Sequence, residues 1–413
     1  MIVEIVSTGD ELLSGSIIDT NTSYLASKFL EIGILVKRCS LVGDDRNELQ
    51  AVIEEISSRA DIVIFTGGLG PTKDDLTSEI AAVASKDKLV MNKEALSAVE
   101  SFFEKKKIKM AEINKKQAYL PSKAKMIENS CGTAPGFYMY FGKAIFYFLP
   151  GVPFEMREMF EKTVIPDVCK KFKIKKRVSS KITLFGVPES KAGQNLKDFQ
   201  AKFPFFQLGF RAVFPIIEIK LLSSVEQNEI NLKEDLKKAK DWIISKFDAA
   251  QIVSDKGLSM EQEVARLLIK KKKTIAVAES CTGGLISDLL TNISGSSAYF
   301  LFSAVTYSNE AKINVLGVNP DTILKYGAVH QKTAEEMARG VMEKAHADFG
   351  ISTSGIAGPT GGSDEKPVGT ICIGFAKKGF SQGKTYCLNF NDRARNKKIF
   401  AYACLNNLRK ELV

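Results

Sequence analysis

Residues 274–284 read TIAVAESCTGG, and Leu285, Ile286, Leu289, Leu290 and Ile293 follow at helical spacing. A short apolar run, a break at two glycines and a 3.6-residue period spell strand, turn and helix. Ser280 then stands at the carboxyl end of a strand, where ligands gather in parallel α/β sheets. Amides opening the next helix could face a developing oxyanion there. The same pattern also suits a plain serine or threonine N-cap.

The elements around this stretch agree with an α/β unit. Upstream, Ser259–Gln262 forms a capping box, and Lys270–Lys273 ends the helix it opens. Downstream, VTYSNEAK (305–312) carries Ser308 or Asn309 as a cap and places Lys312 in the first turn, beside a strand end bearing Tyr307. A second capping box is expected at Thr333–Glu336, a strand at 348–353, two more near 368–376 and 384–390, and a final helix. Residues 352–362, STSGIAGPTGG, form a glycine-rich loop at a strand end. Backbone amides in such loops suit phosphate or ribose, although a plain surface loop reads the same way. Arg393 and Arg395 could add charge for a phosphate.

A serine nucleophile needs a base. The chain holds two histidines, His330 and His346, neither in these motifs. A lysine serves if burial lowers its pKa, so Lys312 is the candidate, with Tyr307 able to relay a proton. Cys281 is an alternative nucleophile without an evident partner. Residues 379–385, GFSQGKT, fall one residue short of a P-loop and read as part of a hairpin.

The front of the chain alternates strand and helix. Strands are expected at 2–7, 34–39 and 61–66, and helices at 22–32 and 47–59, with Gly33 as a stop. This predicts a parallel sheet covered on both faces. The third strand runs into TGGLGPTKDDLTSE (66–79), while GDELLSG (9–15) and VGDD (42–45) follow the other two. Glycines and aspartates at three strand ends could form one rim holding Asp10, Asp44, Gly67, Gly68, Gly70 and Asp75. Asp74, Asp75 and Glu79 could bind a divalent metal, or their acids could simply favour a helix start. Residues 178–255 read as a small α+β module with no catalytic cluster, a spacer or an oligomerisation unit.

The chain has 413 residues, 45% apolar and 26% charged, which suits several globular domains. No stretch approaches the ~20 apolar residues of a membrane span. The start, MIVEIVSTGDELL, lacks the basic region of a signal peptide. Seven scattered cysteines without a C-x-x-C pair argue against a disulfide framework and fit a reducing cytoplasm. The net charge of +10 is spread over runs such as Lys170–Arg177 with few aromatics, so nucleic acid is not the expected partner.

Taken together, AESCTGG, VTYSNEAK, SGIAGPTGG and EKPVGT resemble the CinA C-terminal domain, the nicotinamide mononucleotide deamidase family. The resemblance implies hydrolysis of the nicotinamide carboxamide through an acyl-enzyme, with no cofactor. Ser280 is then the nucleophile, Lys312 the base and Tyr307 its partner. Cys281, Thr282, Gly283, Gly355, Ala357, Gly358, Arg393 and Arg395 would line the substrate site. His330 stands where the family usually has serine, and His346 where it often has arginine.

The front resembles the molybdopterin-binding MoaB/MogA type and, with NKKQA (114–118), GTAPG (132–136) and LPGVP (149–153), the CinA N-terminal domain. TLFGVPES (183–190) extends the likeness through the middle. It implies a pterin-like binder or a metal-dependent ADP-ribose pyrophosphatase, with Asp44, Asp75 and Glu79 as metal ligands. The expected organisation is a three-layer α/β domain at 1–172, an α+β module at 173–256 and an α/β amidohydrolase at 257–413. The chain is expected to be a cytoplasmic homodimer acting on small nucleotides. Two readings compete with a two-activity enzyme. One is a binding protein linked to competence or DNA damage. The other is a chain active only at its C-terminal end.

Overall fold

A computed structural model describes residues 1–172, 174, 178–223 and 232–413. The basic run Lys170–Arg177, read as the exit of the first domain, falls partly outside them. The chain divides into two compact units, Met1–Arg177 and Val178–Val413.

The first unit is built on β1 (Val3–Thr8), β2 (Arg38–Val42), β3 (Ile62–Thr66), β6 (Lys125–Ile127), β7 (Gly136–Phe141) and β8 (Ala144–Leu149), in the order β2-β1-β3-β8-β7-β6. A separate short ladder joins β4 (Leu89–Met91) to β5 (Tyr119–Pro121). β1, β2, β3 and β8 are parallel, but β7 and β6 run antiparallel, so the all-parallel expectation fails at one edge. Residues 142–143 between β7 and β8 leave room only for a hairpin, and a hairpin forces antiparallel pairing.

The strands alternate their side chains between two cores. Val6, Val63 and Phe65 pack beneath helices α2 (Arg46–Arg59) and α3 (Thr77–Ala84). Ile5, Ile62 and Ile64 pack against α1 (Thr20–Glu31) and the helical segment from Pro153. This is a three-layer α/β arrangement. β2 begins four residues later than expected. Ile34 is buried but does not pair, because the ladder with β1 starts at Arg38. The apolar run marked burial, and pairing was set by the neighbour.

In the second unit, β9 (Ser179–Phe185), β10 (Phe206–Val213), β11 (Ile216–Ser223) and β12 (Ile252–Ser254) form an antiparallel sheet ordered β10-β11-β9-β12. It packs on helices that include Glu189–Asn195 and Leu232–Ile244. A second sheet runs β14-β13-β15-β16-β17, from β13 (Ile275–Glu279), β14 (Phe300–Val305), β15 (Phe349–Gly355), β16 (Thr370–Lys377) and β17 (Phe380–Cys387). β13 pairs in parallel with both β14 and β15. The chain leaves β13 for β14 on one side and then crosses back over β13 to β15 on the other, so the carboxyl end of β13 lies at a topological switch point.

One face of this sheet packs on α4 (Met260–Lys271), α5 (Leu285–Thr291) and α8 (Arg393–Leu412). The other packs on α6 (Asn309–Leu316) and α7 (Gln331–Ala345). α7 lies close enough that a Cβ at Gly374 would collide with the carbonyl of Ala334. Ser352 Oγ donates to that same carbonyl at 2.5 Å.

The capping box expected at Thr333–Glu336 does not form. α7 starts earlier, with His330 Nδ1 accepting the Lys332 amide as the N-cap. Thr333 instead donates to the Gly327 carbonyl, and Glu336 accepts from Asn319 and Thr322. The P-loop look-alike is strand β17 and its turn. No helix among the described residues is long and apolar enough to cross a membrane.

Candidate active site and front cleft

Ser280 sits at the switch point. Its amide donates to Thr353 O at 3.0 Å, and the Thr306 amide donates to Glu279 O at 2.8 Å, so the ends of β13, β14 and β15 are tied together. Ser308 caps α6 through the Ala311 amide, which fixes the first turn and aims Lys312 inward. Lys312 Nζ lies 3.2 Å from Ser280 Oγ. It also donates to the carbonyls of Thr306 at 2.9 Å and Tyr307 at 3.1 Å. The side chain is only 1% exposed, and among the described residues no carboxylate lies at ion-pair distance. Burial pushes its pKa below the ordinary lysine range, opposed in part by the Cys281 sulfur. Once it gives up its proton, an amine beside a serine hydroxyl is a base in contact with a nucleophile.

Glu279 explains why the turn is ordered, and it corrects one expectation. Its carboxylate is fully buried and accepts from the amides of Gly284, Ile286 and Ser287 and from Ser287 Oγ. The opening of α5 is thus satisfied internally and is not free for an oxyanion. The Cys281 and Thr282 amides, next to the serine, have no protein acceptor among the described residues. Thr282 Oγ1 is 2.7 Å from Thr353 Oγ1. Burial pushes the Cys281 thiol up to about 12, so it is a poor nucleophile.

The glycine-rich loop meets this centre through α8. Arg393 Nη1 donates to Gly358 O at 2.7 Å, and its Nη2 donates to Tyr307 Oη at 3.2 Å. Asn396, fully buried, donates to Ala357 O at 3.0 Å. A Cβ at Gly355 would press on Cys281 Sγ, which places that glycine against the serine loop. Tyr307 is thus near the site, but its phenol is exposed and bonded to Arg393 and makes no hydrogen bond with Lys312. Arg395 is not brought to Ser280. Its guanidinium lies 4.6 Å over the Phe214 ring.

Sequence reasoning missed Lys397. Its ammonium stands 3.3 Å from where a Cβ on Gly283 would be, it is half-buried, and no acid pairs with it among the described residues. Only its helical spacing from Arg393 placed it on the same side of α8.

In the first unit, a cleft of about 560 Å³ opens at the carboxyl ends of β1 and β3. Of the residues named from the sequence, Asp44, Gly67, Gly68, Gly70 and Asp75 line it, together with Thr8. Asp10 stands at its rim, its carboxylate accepting the Asp44 amide at 3.1 Å. Burial raises the Asp44 pKa, although hydrogen bonds from Thr8 and the Asp10 amide oppose this. Glu155 and Asn21 are among the lining residues the sequence did not single out. Burial also raises the pKa of Glu155. Asn21 uses its Nδ2 on Thr66 and on Gly151 O, while its buried Oδ1 has no partner.

The expected metal trio does not assemble. Both Glu79 oxygens are held by Arg46, at 2.6 and 2.8 Å, and Asp75 accepts from Thr72. Among the described residues no three His, Cys, Asp or Glu side chains converge as a metal cluster.

Known proteins match both halves. The family model described as "CinA C-terminal domain" covers residues 258–412, and that described as "Probable molybdopterin binding domain" covers residues 4–170. A "CinA-like protein" of Desulforapulum autotrophicum is 47% identical across 100% of this chain and 99% of its own length. The chain belongs to the CinA family. A second "CinA-like protein", of Desulfosudis oleivorans, is 46% identical over the whole of both CinA chains. The crystal structure of "competence/damage inducible protein CihA" from Agrobacterium tumefaciens shares 36% identity, with a TM-score of 0.36, over 38% of this CinA chain and 96% of that one.

Proposed function

We propose that the second unit is an amidohydrolase that converts nicotinamide mononucleotide to nicotinate mononucleotide and ammonia. The observation that carries this reading is the 3.2 Å contact between Ser280 Oγ and a buried, carboxylate-free Lys312. A pure binding module has no use for a desolvated amine against a hydroxyl.

In this reading Lys312 takes the Ser280 proton as Oγ attacks the carboxamide carbon. The amides of Cys281 and Thr282 receive the oxyanion. Collapse breaks the C–N bond, and the proton returns to the leaving nitrogen, which departs as ammonia. Water, activated by the same amine, then cleaves the acyl ester and restores Ser280. Arg393 donates to the Tyr307 oxygen, which leaves the phenol free to point its own proton at substrate. Lys397, unpaired beside Gly283, supplies charge for the phosphate, because Arg393 and Arg395 are engaged elsewhere.

Ammonia release is the test. Ser280→Ala is expected to abolish it, and Lys397→Met to raise KM about tenfold with kcat little changed. Wild-type turnover in Ser280→Ala would refute the assignment.

A second reading concerns the front cleft. Asn21 Oδ1 is an acceptor still waiting for a donor, which favours a bound ligand. The lining includes Glu11, Asp19, Asp44, Asp74, Asp75 and Glu155 and no lysine or arginine. A phosphorylated ligand would have to enter with its own cation. Titration calorimetry with ADP-ribose is expected to show binding with magnesium and none with EDTA. Equal binding in both would contradict this.

A further inference from the structure

A cavity of about 610 Å³ lies within the second unit, between the β9–β12 module and the outer face of α8. Nothing in the deamidase reading uses it. The two walls belong to one packed body, since Ile216 and Val253 join the core beneath α8. Arg409 also donates to Ala250 O at 2.8 Å.

The lining is mostly apolar, with Phe214 and Phe390 meeting edge to face at 4.8 Å. Ile399 and Ala403 form the floor on α8. Two cations, Arg395 and Lys410, line it against one carboxylate, Glu189. The Arg395 guanidinium lies 4.6 Å over Phe214 and 5.6 Å from Phe390, and no carboxylate pairs with it among the described residues. An apolar chamber of several hundred Å³ with a few convergent polar groups has the usual make-up of a small-molecule site. An arginine resting over an aromatic ring keeps donors at its edge for a planar anion.

We propose that this cavity binds a small aromatic carboxylate, its ring against Phe214 and Phe390 and its charge on Arg395 and Lys410. The site is separate from the Ser280 centre but shares a helix with it. α8 carries Arg395, Ile399 and Ala403 on the cavity wall, and Arg393 and Asn396 on the loop at Gly358 and Ala357. An occupant is therefore placed to shift the glycine-rich loop. That consequence rests on the deamidase reading, whereas binding itself does not.

The test is a fluorescence titration of the full chain with 8-anilinonaphthalene-1-sulfonate, followed by competition. One saturable site is expected, displaced by 1-naphthoate and about tenfold less well by neutral 1-naphthalenemethanol. Arg395→Gln should remove that preference for the anion, and Ala403→Trp, which fills the chamber, should abolish dye binding. Ser280→Ala should leave the dye site intact, so failure of the deamidase reading stays distinguishable. Equal displacement by acid and alcohol, or an unchanged dye site in Ala403→Trp with a native circular dichroism spectrum, would overturn the proposal. So would dissociation of a dimer in Ala403→Trp, because the face would then be covered by a second copy.

Discussion

In the proposed mechanism, removing water from one amine is what makes Lys312 a base. A lysine acts as a base only when unprotonated, so activity should rise with pH as Lys312 loses its proton. Burial lowers that pKa, so the rise should be complete below the ordinary lysine value of about 10.4. The pH profile of kcat/KM checks this. An acid limb lying at the ordinary lysine value would contradict it. The pair Ser280–Lys312 was legible in the sequence because each residue sits at a fixed place beside a strand–helix turn. Lys397, Asn21 and Glu155 were not. Each owes its place to packing between distant elements, and no local pattern marks a lysine that lacks an acid or an asparagine that lacks a donor.

Single elements are specified by small residues as much as by large ones. α7 rests on Gly374 so closely that its Ala334 carbonyl occupies the space of a side chain. Gly374→Val should cost about 1–3 kcal/mol through overpacking, lowering Tm by several degrees in a thermal melt. An unchanged Tm would show that α7 can lift without penalty. Helices with caps were read well, as at Ser259 and Ser308, because a cap is a local hydrogen bond. Strands β2 and β17 were displaced by about four residues from expectation, since hydrophobic runs report burial while a neighbouring strand sets the pairing. The Thr333 box failed for a related reason. Its residues found stronger tertiary partners in Gly327, Asn319 and Thr322.

Across the molecule, the same device appears twice. Each α/β sheet has a strand flanked by parallel neighbours on both sides, and the candidate site residues collect at its carboxyl end. In one unit that end holds acids and an unsatisfied asparagine. In the other it holds a serine and a dry lysine. The α/β architecture of both was legible from alternating periodicity, whereas the antiparallel edge at β7 and β6 was not, because no strand was expected at 125–127 or 136–141 to pair through the Gly142-Lys143 turn. The metal trio failed at this scale too, since Arg46, on another helix, claims Glu79. The most direct measurement is rapid acid quench of the full chain turning over nicotinamide mononucleotide, followed by peptide mass spectrometry. The expected result is an acyl ester of the substrate's carboxyl group on the peptide holding Ser280, absent from Ser280→Ala and from every peptide of residues 1–172. Steady ammonia release by Ser280→Ala, or an adduct on any other side chain, would contradict the account.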